Sequence, residues 1–279
     1  MRVGLITPEP GHPLLAATTA LLAREHVVEA VDPASAPPGR VADVYLLKSR
    51  TPRALALARE LELRGAAVLN SASATTLCQD RTAMAELADR AGLPFAATRT
   101  FPALAPLPDD PDLTYPLVVK SRHSRRHDLV ARADDAAALR TLAGAWGPEP
   151  VVVQEFTANS GWDHKLWVIG GRVFAALRRS ELAPGGRGPT RSLSLDALPP
   201  GWAGLALRVG EVFALDVYGV DLIDAGGASP LIVDVNAFPG IRGQLGAPEA
   251  LAELALAAGS GRLTPRTRAR PAEESCSTP

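Results

Sequence analysis

The stretch that most restricts how this chain can fold is 219–243, GVDLIDAGGASPLIVDVNAFPGIRG, two apolar runs parted by a glycine-rich turn. Runs of this length on either side of such a turn read as a β-hairpin. Successive side chains of a strand point to opposite faces, so Asp221 points away from a core that takes Val220 and Leu222. On the return strand Val233 and Val235 alternate with Asp234 and Asn236, which places the two polar groups on one face. The hairpin therefore gathers two carboxylates and an amide oxygen. Like charges opposed across a ladder are destabilising unless something positive lies between them. A hard, all-oxygen set of this kind suits Mg²⁺, which takes few protein oxygens and fills its shell with phosphate and water. An isolated Asp-x-Asn equally describes a hairpin face that meets water. The partner strand and the Phe238-Pro239-Gly240 turn that follow favour the metal reading.

Composition narrows the classes that remain. The chain has 279 residues, enough for two or three subdomains, and 47% of them are hydrophobic. Its 29 Lys+Arg against 30 Asp+Glu give a net charge of −1, which offers no global attraction to nucleic acid or to an anionic membrane. Cys78 and Cys276 are too few and too far apart for a disulfide framework or a thiolate metal site. His123 and His127 have no Cys or carboxylate at zinc spacing. The N-terminal MRVGLITPEPGHP carries no long apolar core, and no 18-residue uncharged apolar run occurs, so the expected compartment is the cytoplasm. No nucleic-acid or membrane partner is expected, and nothing encodes an oligomeric state.

Along the chain, residues 2–7, 27–31, 42–48 and 66–69 read as short strands, with helices over 14–26 and 52–64. That alternation predicts a small α/β layer. A helix is expected over 75–91, stopped by Gly92 and Pro94. Strands follow at 117–120, 129–132 and 151–156, with a helix over 136–145. Residues 166–169 and 172–178 form a second hairpin about Gly170-Gly171. The Gly/Pro-rich segment 183–190 reads as a lid, 205–215 as a helix, and the chain from 264 onward as disordered.

Five of these pieces, in this order, resemble the ATP-grasp superfamily: QDR at 79–81, PLVVK ending at Lys120, VVVQEF at 151–156, DHKLWVIGGRVFAALRRS from Asp163, and VDVNAFPG ending at Gly240. The resemblance implies an α/β and α+β protein with the ATP-grasp fold behind a small N-terminal α/β (pre-ATP-grasp) domain. The implied division is 1–75 for that domain, 76–155 for a central subdomain, 156–262 for a metal-bearing C-terminal subdomain, and 263–279 for a tail. Two branches look similar, the RimK-type carboxylate–amine ligases and the inositol 1,3,4-trisphosphate 5/6-kinases. The run 70–96 and DVNAFPG fit either; Lys48 at the end of DVYLLK, and His127, look more like the kinases.

What the resemblance implies about residues is specific. ATP with one or two Mg²⁺ (Mn²⁺ as an alternative) would be the cofactors, and the metal would rest on Asp221, Asp234 and Asn236. Arg81, Lys120, Gln154, Glu155, Phe156 and Asp163 would contact the nucleotide: Lys120 at the phosphates, Gln154 to Phe156 at the base, Asp163 near the ribose. Lys165, Arg178 and Arg242 would serve the transferred phosphate or the acceptor. Lys48, Arg122, His127 and Gly240 would line the acceptor site, with a small molecule or a peptide as acceptor. Each basic residue also has a bland reading, a solvated cation at a strand or helix end. The loop 121–128 departs from the family: ligases commonly place glycines there, and this chain has three arginines and two histidines instead. Arg122, Arg125 and Arg126 would then act as side-chain phosphate donors, or the loop would recognise an anionic acceptor, which is the alternative that keeps the kinase branch open. Three functions follow in order of preference: a ligase acting through an acyl phosphate, a polyol kinase, and a nucleotide binder without catalysis.

Overall fold

Three sheets follow one another along the chain, and the computed structural model describes residues 1–183, 186, 188–267 and 269 of it. The first sheet is parallel. Strands β1 (Arg2–Ile6), β2 (Val27–Val31), β3 (Val44–Leu47) and β4 (Ala67–Leu69) run in the order β2-β1-β3-β4, with α1 (Pro13–Leu22) and α2 (Pro52–Leu63) between them. All four residues of β3 are buried, as an apolar strand covered on both faces requires. α2 begins where Thr51 accepts a hydrogen bond from the Ala54 amide and Pro52 takes the first turn.

The helix expected over 75–91 is two helices, α3 (Ala72–Leu77) and α4 (Arg81–Arg90). Asp80 divides them, because its carboxylate accepts from the Thr82 and Ala83 amides at 3.0 and 3.4 Å and so caps α4. Arg81 consequently stands at a helix start rather than within a helix.

The second sheet holds β5 (Thr98–Phe101), β6 (Leu117–Ser121), β7 (Val130–Ala133) and β8 (Val151–Glu155) in the order β5-β8-β6-β7, all antiparallel. Leu117, Val119, Val151 and Val153 pack on α5 (Ala136–Trp146), mainly around Leu139. The third sheet is β9 (Trp162–Ile169), β10 (Arg172–Arg179), β11 (Thr190–Leu193), then α6 (Trp202–Phe213), β12 (Val217–Asp224) and β13 (Pro230–Ala237), ordered β11-β10-β9-β12-β13. One face, with Leu166, Val168, Val220 and Leu222, closes over Trp202 and Phe213 of α6 and Met84 and Leu87 of α4. Residues 81–93 thus pack under this sheet, not under the four-stranded one.

The opposite face changes character along its length. At one end Ile169, Phe174 and Val217 join α7 (Ala247–Gly259) and the first sheet in one core through Leu251 and Leu5. Fully buried Asn70 ties that junction, accepting from the Asp216 and Val217 amides at 2.8 Å and donating to the Val217 carbonyl at 2.6 Å. Residues 264–267, expected to begin a disordered tail, are held here: the Arg266 amide donates to Asp216 and the Thr267 carbonyl accepts from Ser73. Most of the rest of the tail, Cys276 included, lies outside the described residues, as do 184, 185 and 187 of the expected lid. No helix among the described residues is long and apolar enough to cross a membrane. At its other end this face is polar, and it forms one wall of a cleft.

Candidate active site

The cleft, of about 1170 Å³, lies between the polar end of the five-stranded sheet and the face of the four-stranded sheet turned away from α5. Register builds the first wall. Lys165, Asp221 and Asp234 are direct neighbours across β9, β12 and β13, and Asp163 is paired with Arg178 across β9 and β10. Because neighbours two apart share a face, Asn236 joins Asp234, and Trp167 joins Lys165 and Asp163. The second wall carries Val118, Lys120, Val130, Arg132, Gln154 and Phe156.

The hairpin departs from strict alternation at one residue. Asp221 pairs with Asp234, but Leu222 pairs with Ile232, so Val233 is the extra residue of a β-bulge. Ile232 and Val235 both stay in the core, and Val233 turns to the cleft with Asp234, contrary to the expectation that it would share the face of Val235. The bulge frees the Val233 carbonyl, which accepts from Lys120 Nζ at 2.7 Å across the cleft.

Charges in the cleft are matched in detail. Lys165 Nζ contacts Asp221 and lies 3.7 Å from Asp163. Arg178 Nη2 is 3.9 Å from Asp163, and Arg81 Nη2 is 3.6 Å from Asp234. The other Arg81 nitrogen bonds Asp128 and the Ser121 carbonyl, each at 2.7 Å. Burial would push the Asp234 carboxyl up, yet Arg81, Lys120 and Lys165 outweigh it and hold the group below its ordinary value. Burial draws Lys120 down to about 8; Asp234 opposes that and Arg81 adds to it.

Of the residues singled out from sequence, Arg81, Lys120, Gln154, Glu155, Phe156, Asp163, Lys165, Arg178, Asp221, Asp234, Asn236, Gly240, Arg242 and His127 are brought to this one cleft. Gln154 is buried with Nε2 donating to Thr98 Oγ1 at 2.9 Å, and the Arg132 guanidinium lies 3.9 Å over the Phe156 ring. Two residues stand apart. Arg122 is turned to Asp80, with bonds of 3.0 and 2.7 Å from Nε and Nη2, because the N-cap carboxylate of α4 is its nearest acid. Lys48 reaches over Phe238 to donate to the Phe238 and Pro239 carbonyls, both at 3.1 Å, behind the cleft wall. Gly240 is also not the residue that needs glycine's freedom: the positive φ angles fall on Phe238 (43°) and Gly243 (66°), and a Cβ on Gly240 would meet only His12 Nε2, at 3.5 Å.

Sequence reasoning missed Arg50, Asp128, Arg132 and Trp167 at the cleft, and His12 behind it. Trp167 was within reach, since it follows Lys165 by two on the same strand. The others lie on strand ends and loops whose meeting only the fold dictates.

Would the residues present hold a divalent cation? Asp221 and Asp234 stand in register, Asn236 follows on the same face, and the two carboxylates are strong enough acceptors to gather Arg81, Lys120 and Lys165 about them. Two carboxylates and an amide fit a hard cation whose remaining ligands come from a phosphate chain. No group of three or more His, Cys, Asp or Glu poised for a metal occurs among the described residues, which leaves this mixed oxygen set as the candidate.

Residues 106–246, half the chain, match the family model for the RimK-like ATP-grasp domain. The chain belongs to the RimK-like ATP-grasp family. It is 30% identical over 205 residues to a probable alpha-L-glutamate ligase of Pseudomonas fluorescens, a match that takes in 67% of this chain and 65% of that protein. Its fold is that of a RimK domain ATP-grasp protein from Sphaerobacter thermophilus, with a TM-score of 0.75 at 23% identity over 92% of this chain and all of the other. A D-alanine–D-alanine ligase from Bacillus anthracis, solved with ATP, superposes with a TM-score of 0.67 at 15% identity, covering 94% of this chain and 100% of that one. The five-motif resemblance and the ATP-grasp architecture expected from it are thereby borne out.

Proposed function

We propose that this RimK-like ATP-grasp protein is an Mg²⁺- and ATP-dependent carboxylate–amine ligase. The observation that carries the reading is the row Lys165–Asp221–Asp234 facing Lys120 across a cleft roomy enough for a nucleotide and a second substrate. Mg²⁺ on Asp221, Asp234 and Asn236 would supply charge neutralisation for the phosphates. The γ-phosphoryl group passes from ATP to a carboxylate oxygen, leaving ADP and an acyl phosphate. An amine then attacks the acyl carbon, inorganic phosphate departs, and the amine sheds a proton to solvent. Lys120, Arg81 and Lys165 would meet charge on the transferring group, so that positioning and electrostatics would suffice without a covalent nucleophile. Gln154 and Phe156 offer an edge and an apolar plane for a purine.

The acceptor end is cationic. Arg50 and Arg242 line it, and Lys48 and the His12 imidazole lie behind them with Glu9 as the acid nearby. Burial, then the charges of Lys48 and Arg242, draw His12 down to about 4; burial, then Arg50 and Arg242, draw Lys48 to about 8. Crowded cations suit an anionic substrate, and the relative's name, alpha-L-glutamate ligase, suggests an amino-acid carboxylate. Purified protein incubated with Mg²⁺-ATP and amino acids, alone and with peptides, is expected to release ADP and phosphate and to form an amide. ADP with a phosphorylated polyol from an inositol phosphate pool would instead establish the kinase, and no ADP with any acceptor would leave a binder.

A further inference from the structure

The loop 121–128, where glycines are absent, is pinned along most of its length. The Ser121 amide donates to the Leu129 carbonyl at 2.9 Å and the Leu129 amide to Ser121 Oγ at 3.0 Å. Next, the Arg122 amide meets the Pro150 carbonyl and the Ser124 amide the Gln79 carbonyl, both at 2.8 Å, while His123 bridges to Asp80. Asp128 is fixed by Arg81. What remains as a tip is Arg125, Arg126 and His127, all exposed, with His127 in the left-handed region at φ 59°. The three arginines are therefore not equivalent. Arg122 is spent on Asp80, and Arg126 lies outside the cleft lining. Arg125 lines the cleft, yet its Nη1 is bonded to Glu149 Oε1 at 2.6 Å.

Glu149 is well placed for that hold. It sits at the α5–β8 turn, and its side chain is 16% exposed against 47% for Arg125. The Arg125 hydrogen bond holds its carboxyl below the ordinary value against the effect of burial. A half-exposed pair of this kind is weak, so a doubly charged phosphate entering the cleft can compete for the guanidinium. We infer that Arg125 exchanges Glu149 for the nucleotide's phosphate chain, so that Glu149 is a built-in competitor that sets nucleotide affinity through the loop tip. This rests on the nucleotide reading of the cleft. A main-chain glycine loop has no such competitor, and its affinity cannot be tuned by a single distant carboxylate.

Partner exchange predicts opposite signs for the two members of the pair. Calorimetric titration with Mg²⁺ and a non-hydrolysable ATP analogue is expected to show Arg125→Ala binding about tenfold more weakly. Glu149→Gln, which keeps the shape and removes the charge, is expected to bind about threefold more tightly. In the double variant Glu149→Gln should add nothing to Arg125→Ala, and Arg126→Ala should stay within about twofold of the unsubstituted protein. Weakening by both single variants would mean that the pair only braces the loop and would overturn the inference, as would no change in either. Failure of the unsubstituted protein to bind the analogue would remove the nucleotide reading itself.

Discussion

The two walls of the cleft are built from sheets of similar size but opposite chemistry. The β9–β12–β13 wall sets lysine beside aspartate beside aspartate across the strands, and with Asp163 its acids outnumber its own cations. The β6–β7–β8 wall has Lys120 and Arg132 among Val118, Val130 and Phe156, with Glu155 at its margin. A wall of register-locked acids suits a metal and the phosphates it bridges. A largely apolar wall with a few cations suits the flat face of a base and the far side of the same phosphates. The division of labour between the walls, not any single side chain, is what distinguishes the site from a solvated hairpin.

Substitutions should break that division most severely on the acid wall. Asp234→Ala, assayed well below its melting temperature, is expected to lower ADP release by about a thousandfold or more, and to melt lower than the parent because buried cations lose their acid. Near-normal turnover would move the metal elsewhere. On the facing wall Lys120→Met should cost about a hundredfold in turnover. Burial places Lys120 near 8, below its ordinary value, so the unsubstituted protein carries that charge below pH 8 and loses it above. Nucleotide affinity should therefore fall as pH rises through 8, with a proton taken up on binding near that pH; a flat profile in calorimetry would detach Lys120 from the phosphates. Away from both walls, Asn70→Ala removes three buried bonds and should cost about 2–4 kcal/mol in denaturant unfolding while sparing nucleotide affinity. The smallest effect belongs to the apolar plane: Phe156→Ala should weaken nucleotide binding about tenfold and leave turnover at saturation nearly unchanged.

Much of this was legible in the sequence, for a physical reason. Strands buried on one face write their alternation into the chain, so Asp221, Asp234 and Asn236 could be placed on one side before any coordinates. Elements whose burial depends on a distant partner were not legible. β5 reads TRTF, half exposed, and exists because β8 offers it an edge. The helix at 247–259 is alanine- and leucine-rich on all sides but Glu249 and Glu253 because it is shared by two sheets, a context its own periodicity does not reveal. The break at Asp80 escaped because an aspartate within a helical pattern signals a cap only when the following amides turn toward it. The displaced Arg122 follows from the same residue, since the cap carboxylate is the partner it finds.

The single supernumerary residue of the acid hairpin has a consequence for how the jaws open. Without Val233 the pleat alone would still aim Asp234 and Asn236 the same way, so the insertion is not needed to orient them. What it adds is an outward carbonyl for Lys120, a stitch between segments 113 residues apart at the bottom of the gap. On the proposed nucleotide reading, an incoming triphosphate that draws the ammonium toward itself would release that stitch, and ligand arrival would be coupled to the contact between the two walls.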